Sequence, residues 1–433
     1  MKRALCMLLV AGCVPSQTEL RAPVERELGQ RMGARVALAA PIAALLARPL
    51  DREAAVRIAL ANSPRLHAAL AELGIAGGEL ASALSLGPLH IDGALRFGDA
   101  GREYEVEVIQ GVLGLIAAPR RRSAALAELA AARAKATATA LRLVARVEIA
   151  FTDVLAAQQE VELRRTAFDA ADAAALVRER MYAAGNTPEL ALARDRDARE
   201  QARVDLARTE ADVELARERI NALLGLSGDQ TKWIANGTLA DAPGEAPALD
   251  DLERAAVTAS LELAAGRAGV EGATNRLGAE RVHAWLPDFG VGVSVHDHDG
   301  ELSVGPALRL GIPLFDQRGG ERARAAALLS RAEYELAATA IELRASARAA
   351  RIAALAAHQQ ARHIHEVVLP LRQQIVDQTL LHYNAMNADP FELIVARRQL
   401  VDAGHEYLDA LRRYWNAISE VTALRRGVAL EAP

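Results

Sequence analysis

Two stretches of this chain alternate apolar and polar positions with strict period two. Leu89, Ile91, Gly93, Leu95 and Phe97 share one face, with His90, Asp92, Ala94 and Arg96 on the other. Tyr104, Val106 and Val108 oppose Glu105 and Glu107 in the same way. Further on, Phe289, Val291, Val293 and Val295 oppose Gly290, Gly292, Ser294 and His296. Val304, Pro306, Leu308, Leu310 and Ile312 then oppose Ser303, Gly305, Ala307, Arg309 and Gly311. Such alternation predicts four strands in two hairpins, each strand with one apolar and one polar face.

Elsewhere the apolar residues step by three and four. Leu393, Ala396, Leu400, Ala403, Tyr407, Ala410, Tyr414, Ala417, Val421 and Leu424 do so without a break. Val144, Val147, Phe151, Val154, Gln158, Val161 and Phe168 nearly repeat the pattern. Sustained 3–4 stepping makes a coiled-coil seam, and alanine at many seam positions lets helices approach closely. Ser123–Ala184 contains no proline, so about 60 residues there predict a helix on the order of 90 Å long.

The pattern is duplicated. Arg120–Leu126 aligns with Arg322–Leu328, 202 residues later. Asn62-Ser63-Pro64-Arg65-Leu66 aligns with Ala259-Ser260-Leu261-Glu262-Leu263, and Pro88 with Pro287. Tyr182–Asn186 aligns with Tyr383–Asn387, and Glu189–Arg194 with Glu392–Arg397. A repeat of this length is a duplicated domain rather than a solenoid unit. The organisation read from it runs as follows: residues 51–227 form a first repeat with a hairpin at 89–110, 228–249 a linking segment, and 250–424 a second repeat with a hairpin at 287–312. Residues 13–50 precede the repeats and 425–433 form a tail.

The strands need a surface for their apolar faces. The flanking segments are long helices that leave nothing obvious to cover four such strands. A tilted strand of about 9–11 residues can span a bilayer. The few aromatics, 3% of the chain, fall where interfacial girdles belong: Phe97 and Tyr104 at one end, Trp285, Phe289 and Phe315 at the other. A half-buried sheet in a soluble protein is the competing reading. No segment beyond residue 12 offers the roughly 18 apolar residues of a transmembrane helix; Val36–Leu46 is too short and is broken by Pro41. Four strands cannot close a membrane barrel, which takes at least about eight. Open edges in hydrocarbon leave backbone groups unsatisfied, so protomers must associate, in a number these considerations leave open.

The N-terminus carries an address. Lys2 and Arg3 precede the apolar run Ala4–Ala11, and Val10-Ala11-Gly12 leads into Cys13. Residues 1–12 therefore read as a lipoprotein signal peptide, with Cys13 as the lipid-bearing first residue; an ordinary signal peptide, or a buried thiol in a cytosolic protein, is the alternative. The only other cysteine, Cys6, lies inside the signal, so the mature chain has no disulfide or cysteine metal cage. A net charge of −5 and a pI near 6.1 leave no nucleic-acid footprint. The sequence contains no nucleophile–base motif, phosphate loop or paired catalytic carboxylates, which speaks against an enzyme.

With these features in place, the chain resembles the TolC-type outer-membrane factor family, in a lipoprotein form. The resemblance is carried by the duplicated hairpin-plus-helix-pair order over Asp51–Leu424, by Pro313-Leu314-Phe315-Asp316, by Tyr383-Asn384-Ala385, and by Glu406-Tyr407 through Tyr414-Trp415. It implies a homotrimer whose strands, four per chain, form one 12-stranded β-barrel continued by an α-helical coiled-coil barrel. The implied partners are a periplasmic adaptor, an inner-membrane pump of the resistance-nodulation-division type or similar, and outer-membrane lipid. No cofactor is implied beyond the lipid on Cys13. The implied role is a passive export duct for small molecules, in the outer membrane and extending into the periplasm. The Pro-Leu-Phe-Asp stretch also resembles members serving heavy-metal efflux. A type I protein secretion duct is a further alternative, and a non-conducting lipid-anchored coiled-coil tether is one of another class.

The family's tip implies acidic pore residues soon after the second helix turn. Glu392 matches the first such position, whereas the second is Val395. Asp389 and Pro390 also read as an N-cap and first helical residue, and Asp389 joins Glu392 as a candidate pore-tip residue. Gly185, Asn186, Met386 and Asn387 are the candidate adaptor contacts, with methionine in the second turn where the first has glycine. His296 and His298 share a strand face and are weak metal candidates; His363 and His365, two apart on a helix, do not face each other.

Overall fold

The computed structural model describes residues 16–34, 38, 40–85, 89–98, 101–285, 288–298, 301–311, 318–388 and 390–430, without the side chains of 98, 101, 102, 113–115, 285, 288, 298 and 390. Cys13, Asp389, Ile312 and Pro313–Asp316 lie outside the described residues. In chain order the elements are α1 (Gln17–Met32), α2 (Ile42–Leu46), α3 (Arg52–Asn62), α4 (Pro64–Leu84), β1 (Leu89–Gly98), β2 (Gly101–Gly111), α5 (Leu113–Ala183) and α6 (Glu189–Leu224). The second half follows with α7 (Leu252–Ala259), α8 (Leu261–Trp285), β3 (Asp288–His298), β4 (Glu301–Gly311), α9 (Gly319–His363), a π-helical turn (Ile364–Val368), α10 (Leu369–Asn384) and α11 (Pro390–Arg426). The chain divides into two compact units: 1–27, 68–137 and 261–341 form one, and 28–67, 138–260 and 342–433 the other.

The first unit contains the sheet. Its strands are antiparallel in the order β1-β2-β3-β4. Ile91 pairs with Val108, Val108 with Val293, and Val293 with Pro306, so the apolar positions of all four strands share a face. That face is bare: Phe97 is 74% exposed and Leu308 71%. Gly292 permits the close approach of β2 and β3, because a Cβ there would stand 2.0 Å from the Val108 carbonyl oxygen. The helix after β2 begins ten residues earlier than the proline-free run suggests and includes Pro119. It does so because the chain leaves the sheet directly: the Val112 N–H donates to the Phe289 carbonyl at 2.8 Å, and no loop intervenes.

In the second unit the 3–4 stepping becomes a buried seam. Ala396, Ala403, Ala410, Tyr414, Ala417, Val421 and Leu424 are buried on α11, and Val144, Val147, Phe151, Val154 and Val161 on α5. The duplication shows in local detail. Ser63 ends α3 at φ −68, ψ 118, and Ser260 ends α7 at φ −59, ψ 123, so the two aligned serines break the chain alike. Both are buried.

The segment read as a linker is a strap fastened to helices of this unit. Leu50 and Ala235 form a parallel bridge. The Leu239 N–H donates to Gln159 (2.9 Å), the Trp415 indole N–H to the Ala240 carbonyl (2.8 Å) and the Tyr407 hydroxyl to Asp241 (2.6 Å). His358 Nε2 lies 2.8 Å from the Pro243 carbonyl, and Arg425 donates to that of Ala248 (2.9 Å). Burial, and next Asp241, raise the Tyr407 hydroxyl pKa, which keeps it a donor. The π-helical turn directly precedes Leu369-Pro370; Pro370 has no N–H for the Glu366 carbonyl, and a widened turn there relieves the helix of that missing bond. His365, within the π turn, stacks on Tyr407 at 5.1 Å between ring centroids.

Candidate functional site: helix turns and the strand faces

The two helix turns share one design. In the first, Gly185 adopts φ +74, and the N–H groups of Gly185 and Asn186 donate to the carbonyls of Tyr182 and Met181, both at 2.9 Å. In the second, Met386 adopts φ +58, and the N–H groups of Met386 and Asn387 donate to Tyr383 (3.0 Å) and His382 (2.8 Å). This is the Schellman closure, whose left-handed residue is ordinarily glycine. Met386 occupies it with a side chain 94% exposed. Among the described residues nothing packs against it to offset the strain.

Around the turns the halves differ. Next to the first, Arg178 Nε donates to Asp195 Oδ2 at 2.6 Å and Arg178 Nη1 to Thr187 Oγ1 at 3.2 Å, with both charged side chains nearly buried. The aligned positions of the second half hold Thr379 and the exposed Arg398. Glu392 is exposed in the first turn of α11, Val395 is 36% exposed, and the neighbouring Phe391 ring lies under the Arg194 guanidinium at 5.2 Å. The sequence reading missed the Arg178–Asp195 pair. Its only signal was two opposite charges at similar distances from Gly185.

The polar face of the sheet is charged. Arg309 reaches Asp92 at 2.6 Å, and Arg96 lies 3.4 Å from Glu103 and 3.5 Å from Glu105. His296 Nδ1 stands 3.8 Å from Glu105 Oε1 across β2 and β3. The structure thus brings His296 beside a carboxylate, while the His298 side chain lies outside the described residues. Among the described residues no three His, Cys, Asp or Glu converge as a metal cage, and no helix is long and apolar enough to cross a membrane.

No protein-family model matches the chain. The cobalt-zinc-cadmium resistance protein CzcC of Cupriavidus metallidurans is 26% identical over 310 residues, covering 70% of this chain and 71% of that protein. Among solved structures, the outer membrane protein VceC of Vibrio cholerae superimposes with a TM-score of 0.73 at 16% identity, over 87% of this chain and 96% of VceC. The CmeC outer membrane channel of Campylobacter jejuni does so with a TM-score of 0.70 at 14% identity, over 98% of this chain and 91% of CmeC. Duplicated helix pairs, a four-stranded sheet with one bare apolar face and these superpositions together give the chain the fold of the TolC-type outer-membrane efflux channels.

Proposed function

We propose that this chain is the outer-membrane duct of a tripartite efflux system. The observation that carries the reading is a four-stranded sheet whose apolar face is exposed and whose outer strands, β1 and β4, each pair on one side only. In hydrocarbon those edges must be satisfied. Three copies of four strands make a twelve-stranded barrel, with the polar face lining a lumen. The helices continue it through the periplasm to an adaptor and an inner-membrane pump. The duct exports small solutes passively, and no covalent step is part of its role. The relative's name, a cobalt-zinc-cadmium resistance protein, favours metal ions as a second reading of the cargo. The test is reconstitution of the full chain in planar bilayers: a duct gives discrete conductance steps, and a tether gives none.

Cys13 anchors the mature chain to the membrane through lipid. Cys13→Ser abolishes metabolic labelling with palmitate while the strands still insert, since one set of acyl chains adds modest affinity beside a closed barrel. Equal labelling of the variant would remove the anchor.

The turns are the adaptor contacts, through Gly185, Asn186, Met386 and Asn387. A non-glycine residue in the left-handed region costs roughly 1–2 kcal/mol. Met386→Gly is therefore expected to stabilise the helices by about 1 kcal/mol in thermal melts, and to weaken adaptor binding by removing a bare apolar side chain. A variant neither more stable nor weaker in binding would deny Met386 this role. Glu392, and with it Asp389 three residues earlier in the sequence, is the tip residue of this reading, where three copies place a ring of carboxylates that focuses negative potential. Glu392→Gln is expected to lower cation selectivity and block by trivalent cations in bilayer recordings; unchanged values would turn Glu392 away from the lumen.

A further inference from the structure

The structure assigns a binding surface for anionic lipid headgroups to the helix ends that flank the strands. It deepens the barrel reading and rests on it. The surface is built of arginines. The last ten residues of α4 and α8 and the first ten of α5 and α9 hold seven arginines against three carboxylates, a surplus of four. Arg120-Arg121-Arg122 supply three of the seven on α5, and α8 and α9 supply two each. The chain as a whole carries −5. Beside the helix turns there is no such surplus: the last ten residues of α5 and α10 and the first ten of α6 and α11 hold six arginines and six carboxylates.

Side chains of three helices meet at this level. The Arg120 guanidinium lies on α8 at Gly278, where any Cβ would collide with it. Arg276 pairs with Glu128 at 2.5 Å, and Arg318, beside the start of α9, with Glu280 at 3.5 Å. Among the described residues no carboxylate pairs with Arg120, Arg122, Arg281, Arg322 or Arg324. All of these but Arg322 are exposed. His283 feels the resulting field. Burial above all holds its pKa below the ordinary value, and Arg318 and Arg121 oppose the pull of Glu280.

Position selects the partner. Arg122 stands about 14 Å along α5 from Leu113, and Arg281 about 6 Å along α8 from Trp285. One headgroup layer is about 5–8 Å thick, and a surface potential decays over about 8 Å more. An arginine stem can cover apolar surface while its head stays in water. Ile116, one turn nearer the sheet than Arg120, is 48% exposed. The belt therefore continues the bare apolar face of the sheet at the level where lipid phosphates lie. A second copy cannot neutralise it, because each copy brings the same surplus to the same level. Phosphate oxygens accept the paired N–H donors of a guanidinium.

The test is reconstitution of the full chain in phosphatidylethanolamine vesicles. Electron spin resonance then compares the association of spin-labelled phosphatidylglycerol with that of spin-labelled phosphatidylethanolamine. The wild type is expected to prefer phosphatidylglycerol, and less so in about 1 M salt. One arginine at an anionic surface contributes about a fivefold preference. Arg120→Gln, Arg121→Gln and Arg122→Gln together are expected to lower the preference at least about fivefold, as are Arg281→Gln, Arg322→Gln and Arg324→Gln together. Lysine at positions 120–122 is expected to retain most of it. Arg180→Gln, Arg397→Gln and Arg398→Gln, which remove the same charge beside the helix turns, are expected to leave it unchanged. Triple glutamine variants that keep the wild-type preference would overturn the surface. So would variants that change ion selectivity in planar bilayers with the lipid preference intact, since the arginines would then face the lumen. In either case wild-type conductance leaves the duct standing, whereas its absence defeats the duct itself.

Discussion

Arginine in place of Leu308 is expected to cost the assembled barrel about 2–4 kcal/mol, whereas arginine at Ser303 leaves it essentially unchanged. Both residues lie on β4 within five positions, so strand propensity and edge position are nearly matched. They differ in face. Leu308 pairs with Val291 and belongs to the bare apolar surface, and Ser303 pairs with His296 among carboxylates. A cation on the lipid side must be drawn from water into hydrocarbon, while one on the polar side meets Glu105 and water. Urea unfolding of the reconstituted channel, or its loss of heat-resistant mobility on gels, reads the difference. Equal cost at the two positions would mean that both faces meet water, and the barrel reading would go with it.

Periodicity carried most of the fold. The four strands were legible because alternation is a local signal, and the hairpins observed at Leu89–Gly111 and Asp288–Gly311 fall within a residue or so of their expected bounds. The α11 seam was legible for the same reason. What lacks a period stayed hidden. Helix α1 buries Leu20, Val24 and Leu28, but three apolar positions around an internal Pro23 do not stand out in a sequence this rich in alanine and leucine. Three of the strap's bonds join side chains to backbone carbonyls more than a hundred residues away, those of Trp415, His358 and Arg425, and nothing local announces such a pairing. The left-handed conformation of Met386 was likewise hidden, although the alignment of Tyr182–Asn186 with Tyr383–Asn387 placed it where Gly185 sits. Of the site residues, composition gave candidates and register gave neighbours: His296 was visible as a residue, and Glu105 as its partner was not.

The other large effect is expected at Asp195. Its carboxylate accepts the Arg178 Nε–H at 2.6 Å, with side-chain exposures of 5% and 10%. Asp195→Ala strands a desolvated guanidinium, and breaking a buried pair from one side costs about 3–5 kcal/mol. Replacing both partners together, Arg178→Met with Asp195→Leu, removes the uncompensated charge and is expected to recover most of that loss. The second half supplies the control. Arg398, aligned with Asp195, is 73% exposed and stands 4.0 Å from Asp402, so Arg398→Ala is expected to stay within about 0.5 kcal/mol of the wild type. Thermal melts of the detergent-solubilised protein, followed by helical circular dichroism, compare the four chains. An Asp195→Ala protein as stable as the wild type would mean that the pair is open to water in the assembled channel. If instead the loss is as large as expected, the first helix turn is held by a buried ion pair that the second lacks. Amide hydrogen exchange near Met386 should then be faster than near Gly185, because local opening of the second turn breaks no buried pair.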